Sequence, residues 1–105
     1  MDFGIVCFAT DSSIEPQDLG PALEQRGFES LFYAEHTHIP ISRRSPFIGG
    51  GDLAPMYWHS HDQFIALTMA AAHTKTLKLG TGITLLTEHD PIILAKATAS
   101  LDRLS

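Results

Sequence analysis

The first apolar run, "FGIVCFA" at residues 3–9, is short and nearly continuous, the pattern expected of a strand buried on both faces in a parallel sheet. We label it β1. Pro16 suits the first turn of a helix, where its missing N–H has no partner to lose; Leu19, Ala22 and Leu23 then share one apolar face, and Gly27 stands where a left-handed C-terminal cap belongs. This segment is α1. "SLFYA" (30–34) reads as β2, and after a long polar and glycine-rich connection "DQFIALTMAAAHT" (62–74) reads as α2, with Ile65, Thr68, Met69 and Ala72 on its inner face. "LKLGTGITLL" (77–86) is β3. Asp90 is placed as N-cap and Pro91 at the first helical position of α3, whose buried stripe is Ile93, Leu94, Ala97, Leu101 and Leu104.

Strands and helices alternating at this spacing predict an α/β fold of parallel βαβ units. Two architectures compete: an open doubly wound sheet, and the first three βα units of a (β/α)8 barrel. A dinucleotide-binding fold of the first kind needs a Gly-x-Gly-x-x-Gly turn after its first strand, and β1 is followed by "TDSSIEPQD", which has no glycine. Gly80 and Gly82 instead lie inside β3, where glycine marks a bulge or a close approach to the backbone.

The connection at residues 37–60 exceeds the usual βα loop of about 2–6 residues, and loops of this length are mostly functional or disordered. It carries "SRRSP", "IGGGD" and "PMYWHSH". In either architecture it leaves the C-terminal end of a strand, the edge where ligands bind. Met56, Tyr57 and Trp58 add an aromatic cluster of the kind that makes contacts.

Charge narrows the partners. Seven basic against twelve acidic residues leave a net charge of −5, which disfavours a phosphate-binding surface for nucleic acid. Apolar runs such as "IILA" are too short to span a bilayer, and the N-terminus lacks a signal peptide's basic and apolar regions. A cytoplasmic location is the expectation. The lone Cys7 cannot pair internally, and it alternates as an ordinary buried strand residue.

Six histidines raise the question of metal. His36 with His38, and His59 with His61, form His-x-His pairs such as barrel metallohydrolases place at strand ends, but no spacing among Glu35, Asp62, Glu88 and Asp90 completes a ligand set. No metal is expected. His73 suits the C-terminus of α2, and His89 falls in the turn before Asp90.

Two separated blocks, "RGFESLFYAEH" (26–36) and "TKTLKLGTGITLLTEHDPIILAKATASLDRLS" (74–105), resemble the opening of the bacterial luciferase-like monooxygenases. The resemblance implies a (β/α)8 barrel enzyme using a flavin or deazaflavin, with residues 1–105 forming a single partial domain, an incomplete barrel. It implies that Glu35 and His36, closing β2, face the ring, with His36 orienting its redox centre and sharing a proton. It further implies a bulge at Gly82 and Ile83 that supports one face of the ring, with Thr84 as a hydrogen-bond donor to the ring's polar edge. "EHTHIP" after β2 and "LDRLS" at the end resemble members that use F420, which ranks ahead of FMN. "HDP" stands where His-Pro is commoner in the family.

The expected activity is that of an oxidoreductase acting on a small organic substrate with a reduced deazaflavin or flavin. Two other readings stand beside it: a non-catalytic remnant or interaction subunit, and a metal-dependent barrel hydrolase. A complete barrel takes about 250 residues, so the chain is expected to be unstable alone, to form a homo-oligomer, or to need the remainder of the barrel.

Overall fold

The computed structural model describes residues 1–105. Three strands, β1 (Gly4–Cys7), β2 (Ser30–Tyr33) and β3 (Lys78–Thr81), form one parallel sheet in the order β1-β2-β3. Three helices follow them in turn: α1 (Pro16–Gln25), α2 (Gln63–Ala71) and α3 (Pro91–Leu104). The register pairs Cys7 with Tyr33 and Tyr33 with Thr81, so the chain leaves all three strands at one edge. Backbone pairing continues one step past each strand, from Ala34 N to Cys7 O at 3.0 Å and from Gly82 N to Tyr33 O at 2.8 Å.

Local chemistry explains the helix starts. The Asp62 carboxylate accepts from Ile65 N, and Asp90 accepts from both Ile92 N and Ile93 N, supplying partners for amides that a first turn leaves open. Pro16 and Pro91 occupy the first helical positions of α1 and α3. Gly27 ends α1 with φ of 77°, a conformation that glycine adopts without a Cβ penalty. At the far end of α2, His73 Nδ1 lies 2.9 Å from Met69 O, the expected C-terminal role.

The core is one-sided. Leu31 and Tyr33 of β2, with Ile5, Cys7 and Leu79 beside them, pack against Leu19 and Leu23 of α1, Ala66, Leu67 and Ala70 of α2, and Leu101 of α3. Burial pushes the Cys7 thiol up, so it behaves as a small core residue and not as a nucleophile. The other sheet face holds Val6, Phe32 and Gly80, and Val6 is 66% exposed. The expectation that β1 is buried on both faces is therefore corrected: the helices cover one face and leave the other open.

Three further expectations change. In α2 the inward residues are Gln63, Ala66, Leu67 and Ala70, while Ile65 and Met69 point outward. Residues 64–67 and 69–72 are all apolar, so no stripe marks the inner face. That face packs against Gly20 of α1, where a Cβ would sit 2.9 Å from Thr74 Cγ2 and 3.5 Å from Ala70 Cβ. In α3, Leu94, Ala97 and Leu101 are half-buried, but Ile93 and Leu104 are exposed. β3 ends at Thr81 instead of running to residue 86, because the chain turns into a bulge and a 3-10 turn at Leu86–Glu88.

Glu24, near the end of α1, fixes the entry to β3. Its Oε1 accepts from Thr76 N at 2.5 Å, Lys75 N at 2.9 Å, Thr76 Oγ1 at 2.8 Å and Leu77 N at 2.9 Å. These donors, led by the Thr76 amide, lower the carboxyl from its ordinary value near 4.5 to about 2. A depressed folded-state value means that the contribution is complete above the ordinary value and vanishes as pH falls from about 4.5 toward 2. Glu24→Gln should lower the melting temperature at pH 7 and flatten its decline across that acid window. A melting curve with unchanged pH dependence would show that the carboxylate does not hold the loop.

Candidate functional site

Because the strands are parallel, the residues after each of them meet at one edge. Phe8 to Thr10 follow β1, Glu35 and His36 follow β2, and Gly82 to Thr84 follow β3. The loop at 37–60 is drawn over the same edge. Thr10 and Ser60 form an antiparallel bridge, His61 N donates to Ala9 O at 2.8 Å, and Ser60 Oγ donates to His36 O at 2.9 Å. His59 Nδ1 lies 2.9 Å from Asp11 Oδ2.

Glu35 and His36 point to different environments, as neighbours on an extended chain do. The Glu35 carboxyl is 5% exposed, accepting from Leu85 N at 2.5 Å through one oxygen and lying 2.7 Å from His89 Nε2 through the other. Both oxygens are engaged in holding the turn between the bulge and α3. His36 packs edge-on to Tyr57 with ring centroids 5.2 Å apart, and its Nδ1 is buried without a hydrogen-bond partner. The Tyr33 hydroxyl is the other buried side-chain polar atom without a partner.

Gly82 and Ile83 are joined by a cis peptide. A Cβ on Gly82 would come within 3.3 Å of both Phe32 Cβ and Val6 Cγ1, so the backbone runs close over the open face of the sheet. Beside it, Val6, Cys7, Phe8, Thr10, Ala34, Met56 and Gly82 line a largely apolar cavity of about 610 Å³.

Gln63, which the sequence reading passed over, organises this corner. It is 1% exposed. Its Nε2 donates to Tyr33 O at 2.6 Å and to Ile83 O at 3.1 Å, and its Oε1 accepts from Thr84 Oγ1 at 2.7 Å. Two carbonyl partners fix which end of the amide is the NH2. The Thr84 hydroxyl has one proton, committed to Gln63, so Thr84 braces the bulge in place of the ring-directed donation expected of it. The available signal for Gln63 was a lone amide in the first turn of an otherwise apolar helix. His89 was likewise read only as a turn residue, and it is the partner of Glu35.

The His-x-His pairs do not converge. His38 lies 3.9 Å from Glu88, His59 pairs with Asp11, and no group of three or more His, Cys, Asp or Glu side chains is arranged to hold a metal ion. No helix is long and apolar enough to cross a membrane.

With this geometry in place, comparison with known proteins is informative. The family model of luciferase-like monooxygenases matches residues 1–105, the whole chain. The chain belongs to the luciferase-like monooxygenase family. The uncharacterized protein Rv0953c of Mycobacterium tuberculosis and the uncharacterized protein Mb0978c of Mycobacterium bovis are each 38% identical over 108 residues, covering 100% of this chain. The chain spans 38% of the length of these relatives. Members of the luciferase-like family use a flavin or F420, and membership supports an oxidoreductase type of function.

Replacing Gln63 with Leu removes three hydrogen bonds and leaves the Ile83 carbonyl and the Thr84 hydroxyl without them. The expected loss is about 2–3 kcal/mol in urea denaturation. Gln63→Glu should be better tolerated at pH 5 than at pH 8, since a carboxylate would face two carbonyl oxygens. Wild-type stability in both variants would remove Gln63 from its organising role.

Proposed function

We propose that residues 1–105 are the first three βα units of a (β/α)8 barrel and form the ring-facing part of an F420-dependent oxidoreductase acting on a small organic substrate. FMN is the second choice. The observation that carries the reading is the apolar cavity beside Gly82, lined by Val6, Phe8, Ala34 and Met56 at the strand edge, with His36 two residues beyond Ala34. A flat polar ring fits the surroundings: Gly82 keeps the bulge free of a side chain, Val6 and Ala34 offer an apolar floor, and Met56 and Phe8 wall it from water. When bound, such a ring supplies hydride transfer, or oxygen chemistry in the flavin case.

The chain's own residues then have separable tasks. His36 would be the group that meets the ligand's polar edge and holds or passes a proton there. Glu35 is a positioning residue, since its carboxylate is spent on Leu85 N and His89. Gly82 and Ile83 support the ring, and Gln63 with Thr84 keeps that support in place. Tyr57 sets the His36 ring edge-on.

Titration with F420 and, separately, with FMN, followed by cofactor fluorescence, tests the proposal. Saturable binding of F420, weakened at least about tenfold (1.4 kcal/mol) by His36→Ala, is the expected outcome. Absence of binding by either cofactor at high micromolar concentration would sink it. His36→Ala should also abolish turnover in a full-length relative while leaving its melting temperature near the parent's.

A further inference from the structure

The loop at 37–60 encloses a second cavity, distinct from the one beside Gly82. Its volume is about 610 Å³, and its wall includes His36, Arg43, Arg44, Phe47, Asp52 and Glu88. The size suits a small organic molecule with room to spare. The loop holds two of the chain's seven basic residues and one of its twelve acidic ones, so it is locally cationic in a protein of net charge −5.

Neither arginine is in an ion pair: the four carboxylates in close pairs face His38, His59, Lys78 and His89. Arg43 is nonetheless held in place. Its guanidinium carbon sits 4.8 Å from the centre of the Trp58 ring, and Trp58 Nε1 donates to Leu53 O at 3.4 Å. Contact with the ring uses no N–H group of Arg43, and a guanidinium can bind a carboxylate through two parallel hydrogen bonds. Asp52 and Glu88 stand on the same wall as the two arginines, and Glu88 accepts from the Thr37 hydroxyl. Two carboxylates against two guanidinium groups leave no excess positive charge for a phosphate dianion, so a monoanion bound through the arginine N–H groups fits better.

We propose that this cavity binds a small organic monocarboxylate, its carboxylate held by Arg43 and Arg44 and its remainder directed toward His36. This names the substrate class for the site under Proposed function and rests on that reading for its catalytic meaning, though not for binding itself. The loop thus brings an acid to the wall where His36 presents its ring, and Tyr57, edge-on to both His36 and Phe47, is the shared partition.

The chain has a single tryptophan, Trp58, and Arg43 of the cavity wall sits against its ring, so its fluorescence reports on Arg43 without any cofactor present. Benzoate is the probe, benzamide its neutral counterpart and inorganic phosphate the competing anion. Benzoate should change Trp58 fluorescence saturably in the range of about 1–10 mM, with benzamide at least about tenfold weaker. Arg44→Gln should weaken benzoate by about tenfold or more while leaving F420 affinity at the wild-type value. The proposal is overturned if benzoate gives no saturable change, if benzamide matches it, or if Arg43→Gln/Arg44→Gln binds it unchanged. It is also overturned if phosphate displaces benzoate at lower concentration, or if Arg44→Gln loses F420 in parallel, since both would assign the arginines to a cofactor's anionic tail. Failure of F420 to bind the wild-type chain, with benzoate binding intact, would instead sink the cofactor reading alone.

Discussion

Burying a carboxamide among apolar side chains is tolerable only when its donors and acceptor are all matched, and Gln63 meets that condition with three partners from two strands' ends. The consequence is geometric. Tyr33 O belongs to the last residue of β2, and Ile83 O and Thr84 Oγ1 belong to the bulge after β3, so one side chain of α2 sets how the two strand exits lie relative to each other. Tyr33 O also accepts from Gly82 N at 2.8 Å, which puts the amide side chain and the sheet ladder on the same carbonyl. Every candidate group on this edge, from Ala34 through His36 to the Glu35–His89 pair, is placed downstream of that junction.

β3 is held from both ends by helices that precede it. At its entry the Glu24 carboxylate of α1 gathers the amides of Lys75, Thr76 and Leu77; at its exit Gln63 of α2 gathers the bulge. Such side-chain anchoring matters because apolar burial is limited: 13 of 105 residues are buried, and the core occupies one sheet face. The open face follows from the same arrangement. Phe32 lies against Gly80, where a Cβ would come within 2.3 Å of its ring, so an aromatic side chain on β2 already fills the place a β3 side chain would take.

Much of this was legible in sequence because it rests on local rules. Asp90 before Pro91 and Gly27 after an apolar helix spell out their geometry within a few residues, while the apolar runs mark where strands lie but not where β3 ends or how β1 is covered. The cis peptide between Gly82 and Ile83 has no local signal, since two glycines in a strand admit several structures. The facing of α2 was not legible, because an almost wholly apolar helix has no preferred side in its own residues. Gln63 escaped for a related reason: a single polar residue in a first turn looks solvated until the strand ends it serves are known.

The contrast between Glu35 and His36 shows why adjacency in sequence is a poor guide to shared chemistry. Both leave β2 together, yet strand alternation turns one toward the turn at 85–89 and the other toward the loop. Glu35 reaches two fixed partners and is satisfied, which makes it a rigid support. His36 packs against Tyr57, whose ring also meets Phe8 at 5.1 Å and Phe47 at 5.9 Å, so the imidazole sits where the apolar cavity beside Gly82 approaches the arginine-bearing cavity of the loop. Phe8 lines the first and Phe47 the second. Tyr57 is thus the one ring that joins His36 to a wall residue of each cavity, so the position of the imidazole depends on the loop as much as on the strand that carries it.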